Sequence, residues 1–368
     1  MEAMSTAGTP RARSVVKTAL AKALSWSRAD ALIGSLADTG GSSVVIGYHR
    51  VVEDFRSAAR FSIPAMLTSS RMLEAQLDWI GRRYRFVSLD ELGRELDRGG
   101  APGRPLAAVT FDDGYRDVHD VAMPVLARKG IPAAVFVVTD LVGTGQAQVH
   151  DRLYMLLRRA IASWRDPASA FRDLLRDLNL LLDPNQLAGD PRFAVATTLR
   201  SLSRHEVDRL AGAIEDAVGV DVSTAAGIEP LTWEMLATMV RSGAIIGSHT
   251  RSHAWLTQES LSEVLDEARG SREAIERRLG VAVEHFAYPD GRFDAATVRA
   301  VAAAGYRFAY TTCTHRDPRY PLLTLPRRML WENACVDAVR RFSPAIMSCQ
   351  VHGVWSLMGG CGQDHHRA

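Results

Sequence analysis

The chain has 368 residues, 44 basic against 42 acidic side chains and 47% apolar residues, so one barrel or doubly wound domain, or two medium domains, can bury a core without metals or disulfides. A net charge of +2 leaves no basic stripe that could track phosphates, which argues against nucleic acid as the main partner. No stretch reaches the roughly 18 apolar residues of a membrane span, and the first forty residues hold no compact apolar core with a cleavage site; the expectation is a cytoplasmic protein.

From the start of the chain, Val16, Leu20, Ala23 and Leu24 recur at helical spacing among Arg11, Arg13, Lys17, Lys22 and Arg28. The pattern predicts one leading helix over residues 11 to 35, either packed on the domain or resting on an anionic membrane surface. Thr39-Gly40-Gly41-Ser42 ends it. Strand-sized apolar runs follow at Val44–Tyr48, Ala107–Phe111, Ala133–Val138, Ala244–Gly247, Phe286–Tyr288 and Phe308–Thr311. Between them lie helix candidates at Ser70–Arg83, Leu89–Asp97, Val118–Lys129, Thr232–Ser242, Ser260–Leu279 and Asp294–Ala304, several opening on a Ser, Thr or Asp cap. Alternating buried strands and helices imply an α/β fold with a parallel sheet and outer helices, which about six repeats can close into a (β/α) barrel.

Residues 148 to 227 break that rhythm. Leu153-Leu156-Leu157 and Phe171-Leu174-Leu175-Leu178 are helical patterns with no strand among them, so this stretch reads as a helical insertion of about eighty residues, far longer than an ordinary connection. The expected organisation is a helical segment over 1–40, a barrel over 41–345 with the insertion at about 146–229, and a C-terminal tail over 346–368. The cysteines Cys313, Cys335, Cys349 and Cys361 fall in no metal or redox spacing.

Two places concentrate chemistry. Val109-Thr110-Phe111-Asp112-Asp113-Gly114-Tyr115 is an apolar strand ending in paired carboxylates, and strand ends are where active sites gather in parallel α/β folds. Neighbouring strand residues point to opposite faces, but a tight turn at Gly114 would let both carboxylates converge. A solvated Asp-Asp-Gly turn is the plainer alternative. Ile246-Gly247-Ser248-His249-Thr250-Arg251-Ser252-His253 places two histidines four apart after another buried run. Two imidazoles with a carboxylate make a common ligand set for a catalytic zinc.

Thr110-Phe111-Asp112-Asp113-Gly114-Tyr115, His249-Thr250-Arg251-Ser252-His253 and Phe286-Ala287-Tyr288-Pro289-Asp290-Gly291 together resemble the motifs of the polysaccharide deacetylase family, also called carbohydrate esterase family 4, in that family's order. The resemblance runs from about Val44 to Met329 and implies a distorted (β/α) barrel. It makes Asp113, His249 and His253 ligands of a divalent metal, Zn2+ first with Co2+ or Mn2+ as alternatives, and Asp112 the general base. The N–H of Asp290, after Pro289, would stabilise charge on the carbonyl oxygen.

Two departures from the family pattern matter. Where many members have an arginine that orients the catalytic aspartate, this chain has Ala287, and Arg327 in Leu325-Pro326-Arg327-Arg328 is the candidate replacement or else an ordinary surface arginine. The late histidine motif that supplies the general acid is missing. Val45-Ile46-Gly47-Tyr48-His49 resembles the corresponding segment of circularly permuted relatives, so His49 is the candidate acid. Tyr115, Trp255, Tyr288 and Pro289 are the candidate substrate contacts, while His150, His285, His315 and the terminal Cys361, His365 and His366 receive no role. The implied function is removal of N-acetyl groups from an amino-sugar glycan or its precursor in bacterial exopolysaccharide or surface-glycan assembly. An O-acetyl esterase or cyclic-amide hydrolase on the same barrel, and a non-catalytic glycan-binding protein, remain as alternatives. The leading helix adds the expectation of peripheral contact with the inner face of a membrane.

Overall fold

The computed structural model describes residues 10–37, 43–99, 103–222, 227–358 and 365. Its strands are β1 (Val44–Tyr48), β2 (Arg50–Val52), β3 (Leu67–Ser69), β4 (Arg85–Phe86), β5 (Leu106–Phe111), β6 (Ala133–Val137), β7 (Ile245–Ser248), β8 (His285–Ala287), β9 (Phe308–Thr311) and β10 (Leu325–Met329). Seven of them close a parallel ring in the order β1-β10-β9-β8-β7-β6-β5, with β5 pairing back onto β1 from Val44–Ala107 to Tyr48–Phe111. β4 is attached to the start of β5, and β2 and β3 form a small parallel pair of their own. The expected distorted (β/α) barrel is the fold.

Period-two alternation sorts the strand residues. Val45, Ala108, Ala134, Phe136, Ala287, Phe308, Tyr310 and Leu325 share one buried cluster, the barrel interior. Residues of the opposite parity, including Ile46, Val109, Val135 and Phe286, join the larger cluster beneath the outer helices. A seven-stranded ring is narrow, so its large interior side chains need small neighbours. Glycine at 247 meets that need, since a Cβ there would lie 2.6 Å from the Phe136 ring and 3.0 Å from the His285 carbonyl oxygen.

Residues 148–227 form five helices, Val149–Ser163, Pro167–Asp177, Pro184–Leu187, Pro191–Ser201 and Arg204–Val218, and no strand among the described residues. They bury an apolar core of their own that includes Leu153, Leu157, Phe171 and Leu210, and Trp255 of the barrel joins it.

The ends of the chain differ from expectation. The single leading helix is two, Pro10–Trp26 and Ala29–Ala37, broken where Arg28 adopts a left-handed backbone with φ 58°. The segment read as a tail is also helical, at Pro344–Val351 and Val354–Met358, because Ile346, Cys349 and Val354 bury apolar surface against Ala21 of the leading helix. His365 is buried rather than frayed, and its Nδ1 donates to the Phe293 carbonyl at 2.9 Å. Cys361 and His366 lie outside the described residues. β10 was missing from the strands read in the sequence, since Leu-Pro-Arg-Arg-Met has neither an apolar run nor an N–H at Pro326 to give to a ladder.

Gly247→Ala is expected to destabilise the protein by about 1–3 kcal/mol through overpacking. Phe136→Leu in the same chain should recover part of the loss in a denaturant melt.

Candidate active site

Interior parity carries four candidate side chains to the mouth where the strands end. Ala108 and Thr110 lead to Asp112, Leu325 to Arg327, Gly247 to His249, and Val45 and Gly47 to His49. Arg327 grips Asp112 with two parallel bonds, Nη1 to Oδ1 at 2.6 Å and Nη2 to Oδ2 at 2.7 Å. Nη1 also donates to Thr110 Oγ1 at 3.2 Å, and that hydroxyl donates to the Ile46 carbonyl at 2.9 Å. Both partners are buried, and the guanidinium lies 5.3 Å from the Phe136 ring centroid. Burial alone would raise the Asp112 carboxyl, but the charges of Arg327 and then His249 outweigh it and hold the carboxyl below its ordinary value. Asp112 is therefore an oriented carboxylate at neutral pH.

Asp113 escapes the alternation because Asp113 and Gly114 are both left-handed, with φ 69° and 71°. This turn brings two adjacent carboxylates to one mouth, at a backbone cost of about 1–3 kcal/mol for the non-glycine residue. Thr250, His253 and Asp290 are left-handed as well, so four of the seven such non-glycine residues among the described ones sit on the motif loops. Strain of this kind persists only where the surroundings enforce it. Glu267 does so for the histidine loop, accepting from the Arg251 and Ser252 amides at 2.7 and 2.9 Å and from the Ser252 hydroxyl at 2.7 Å.

Around Asp113, His253 Nε2 lies 3.2 Å and His249 Nε2 3.5 Å from Oδ1, and His150 Nε2 lies 3.7 Å from Oδ2. His249 Nδ1 is 2.7 Å from the Ala287 carbonyl, which can only accept, so the proton is on Nδ1 and the Nε2 lone pair faces the carboxylate. Burial pushes the His249 imidazole down to about 4, with the Asp112 charge opposing, and leaves it neutral near pH 7. For Asp113 itself, burial acts upward but His150 and His253 hold the carboxyl well below the usual range.

The donor set fits a divalent metal. Both Asp113 oxygens are buried without a hydrogen-bond partner, an arrangement too costly to leave uncompensated. Ligands about 2.1 Å from a tetrahedral ion stand about 3.4 Å apart, close to the observed separations. Donor atoms of Asp113, His150 and His253 all lie within 4.8 Å of one another.

The remaining sequence candidates divide. His49 is half-buried just past β1, near enough for its charge to act on Asp112 and Asp113. Asp290 is exposed on the turn after the buried Pro289. Tyr288 is fully buried in the main core, its hydroxyl donating to the Leu323 carbonyl at 3.0 Å, so it has no surface with which to touch a substrate. Trp255 is 6% exposed, packed into the core of the helical segment and covered by Arg292, 5.4 Å from its ring centroid; it offers no open stacking face. Tyr115 is buried and holds other site residues, donating to Asp151 Oδ2 and lying 2.7 Å from His150 Nε2. The sequence assigns His150 no role, yet it is buried 3.7 Å from Asp113. The available signal is that His150 extends the apolar stripe of Leu153 and Leu157 by a turn, which buries an ionisable group.

Arg327→Met should cost about 3–5 kcal/mol, because it strands a buried carboxylate. With Asp112→Asn in the same chain the combined loss should be less than the sum of the two, as measured by a double-mutant cycle in denaturant.

The "Polysaccharide deacetylase" family model matches residues 99–158 and 194–309. A curated relative, the poly-beta-1,6-N-acetyl-D-glucosamine N-deacetylase of Staphylococcus epidermidis, is 29% identical over 28% of this chain and 38% of its own length. This chain thus spans well under half of that relative. Among solved structures, the Streptococcus pyogenes deacetylase PplD in complex with acetate superposes with a TM-score of 0.54 at 18% identity, covering 85% of this chain and 99% of that one. IcaB from Ammonifex degensii gives 0.51 at 19% identity, covering 84% and 98%. At such identities these two speak to the fold, which they share. With the three motifs in order, the barrel they are mounted on and the family match across them, the chain belongs to the polysaccharide deacetylase family.

Proposed function

We propose that this protein is a metal-dependent hydrolase that removes N-acetyl groups from an amino-sugar-containing glycan or its precursor, in bacterial exopolysaccharide or cell-surface glycan assembly. The observation that carries the reading is the pair of buried carboxylates with divided surroundings, Asp112 clamped by Arg327 and Asp113 open to His249 and His253. The curated relative's named activity on a poly-N-acetylglucosamine supports the substrate class.

A divalent ion, zinc by the two-imidazole and one-carboxylate donor set, would supply Lewis-acid charge that acidifies water and polarises the acetamide carbonyl. Asp113, His249 and His253 would hold it. Asp112 takes the proton from the attacking water as its oxygen bonds to the carbonyl carbon. Arg327 fixes both oxygens of that base and keeps it ionised until the proton arrives. The Asp290 N–H stabilises the negative carbonyl oxygen, and His49 gives its proton to the amine nitrogen as the carbon–nitrogen bond breaks. Acetate and a free amino sugar result. The Arg327 clamp also removes the main motive for a non-catalytic reading, since the orienting cation lost at Ala287 is present from another strand.

A cytoplasmic place at the inner membrane face belongs to the same proposal. Val15, Val16, Trp26 and Leu32 of the two leading helices are exposed beside Lys22 and Arg28, the mixture of apolar and cationic groups that settles in an anionic lipid surface. Among the described residues no helix is long and apolar enough to cross a membrane.

Acetate release from N-acetylglucosamine oligomers should vanish on chelation and return with zinc, cobalt or manganese. Asp112→Asn should lower turnover about 100-fold or more with metal still bound, and His49→Ala should lower it by a similar order. Release from O-acetyl but not N-acetyl sugars would overturn the bond assignment. Separately, the full chain should co-sediment with vesicles containing phosphatidylglycerol, and Trp26→Ser with Leu32→Ser should abolish this; equal sedimentation by the variant would overturn the membrane contact.

A further inference from the structure

Both ends of the helical segment close on the turn that aims Asp113. At the entry, Gln148 stands at the start of the helix Val149–Ser163, and its side chain makes no cap for that helix, as a shorter Ser, Thr, Asp or Asn would. Its Nε2 donates instead to the Asp113 backbone carbonyl at 2.6 Å. A carbonyl oxygen only accepts, so the amide presents its nitrogen there. At the exit, the Leu231 amide donates to the Gly114 carbonyl at 2.8 Å and the Arg116 amide to the Glu229 carbonyl at 2.9 Å, with Tyr115 and Pro230 in an antiparallel bridge.

Asp113 and Gly114 are the two left-handed residues of the turn, and the carbonyl of each is held from outside it, the first by a side chain and the second by a backbone amide. Just before them, the Asp112 amide donates to the Tyr48 carbonyl at 2.9 Å. Strained backbone persists only where its surroundings enforce it, and rotation at Asp113 would swing the carboxylate away from His249 and His253. Gln148 is 2% exposed, and among the described residues its Oε1 has no hydrogen-bond partner. A buried acceptor left unpaired is costly, so packing alone would be served better by an apolar side chain of the same length. What the amide adds is the donor to Asp113.

We infer that Gln148 is a positioning residue of the metal centre, acting through the Asp113 peptide to lock the turn in the conformation that presents the carboxylate to His249 and His253. The inference rests on the metal reading of Asp113. It goes beyond that reading by making metal affinity depend on a residue outside the three motifs. It also gives the helical segment a function at the site, since the strained turn is braced on both sides only when the two ends of the segment are docked on it.

The test is metal binding, not turnover. Zinc affinity of the full-length protein is measured by competition with a chromophoric chelator, at a temperature where the metal-free proteins are folded by circular dichroism, and the cobalt form is read by its visible absorption, which reports ligand geometry. Gln148→Met keeps the length and removes the donor; it should weaken zinc at least about tenfold and shift the cobalt bands. Leu175→Ala, in the core of the same segment, should lower the melting temperature and leave zinc affinity and the cobalt spectrum unchanged. A merely structural part for Gln148 gives Gln148→Met that second pattern, and finding it, with Asp113→Asn abolishing binding, would overturn this inference and leave the metal reading standing. An equal loss of affinity in Leu175→Ala would also overturn it, since general loosening would then be the cause. If Gln148→Met does not fold, Gln148→Asn, which keeps the amide and shortens its reach, decides on the same two readings. A wild-type protein that takes up no divalent ion would overturn both the inference and the metal reading.

Discussion

Two adjacent carboxylates cannot be buried at the end of a strand unless each is compensated, because an isolated ionised group taken out of water loses several kcal/mol of hydration even after relaxation. Asp112 and Asp113 are 3% and 2% exposed, and most of what is distinctive in this molecule answers that demand. Asp112 is neutralised within the barrel by a guanidinium matched to both its oxygens. Asp113 is turned out of the strand's alternation toward imidazoles instead, and its oxygens stay without hydrogen bonds. The two residues differ by one position in sequence and by a complete change in chemistry. A paired carboxylate is a good proton acceptor of fixed orientation, and an unpaired one is a ligand.

The division depends on small residues standing beside the large ones inside the ring. Ala108, Ala134 and Ala287 belong to the interior cluster, and glycine at 247 is forced by the Phe136 ring. Larger residues there would displace Phe136, over which the Arg327 guanidinium lies, and the clamp on Asp112 would be lost through packing rather than through charge. Stability and the proposed catalysis therefore draw on the same side chains, as is common where an active site is mounted on the end of a barrel.

The fold was largely legible in the sequence because its strands are short apolar runs separated by capped amphipathic helices, and burial on both faces needs that composition. The motif residues were legible for the same reason, as each ends a readable strand. The misses have physical causes. β10 is polar in sequence because its interior position is taken by an arginine whose charge is cancelled by a residue far away in the chain. Tyr288 and Trp255 stand inside motif loops, and nothing local separates an aromatic that lines a groove from one that fills a core. His150 reaches Asp113 only through the packing of five helices that carry no motif, so its helical spacing shows that it is buried but not what it meets. The leading helix read as continuous because Arg28, unlike glycine or proline, is no breaker by composition.

Arg327 shows why a family motif can lose a residue and keep its chemistry. In an open sheet, a cation moved by two strands would end about 10 Å away from its partner, given the spacing of about 4.8 Å between neighbours. In a closed ring the inward side chains of all strands converge toward one axis, so β8 and β10 can address the same carboxylate. Ala287 keeps the other duty of its position, since its backbone carbonyl sets the His249 tautomer whatever the side chain is. The orienting charge is thus free to migrate around the barrel, whereas the proposed metal ligands are not, because an ion requires its donors within a few tenths of an ångström. That asymmetry explains why the aspartate and histidine motifs of the family are intact here and the arginine is displaced.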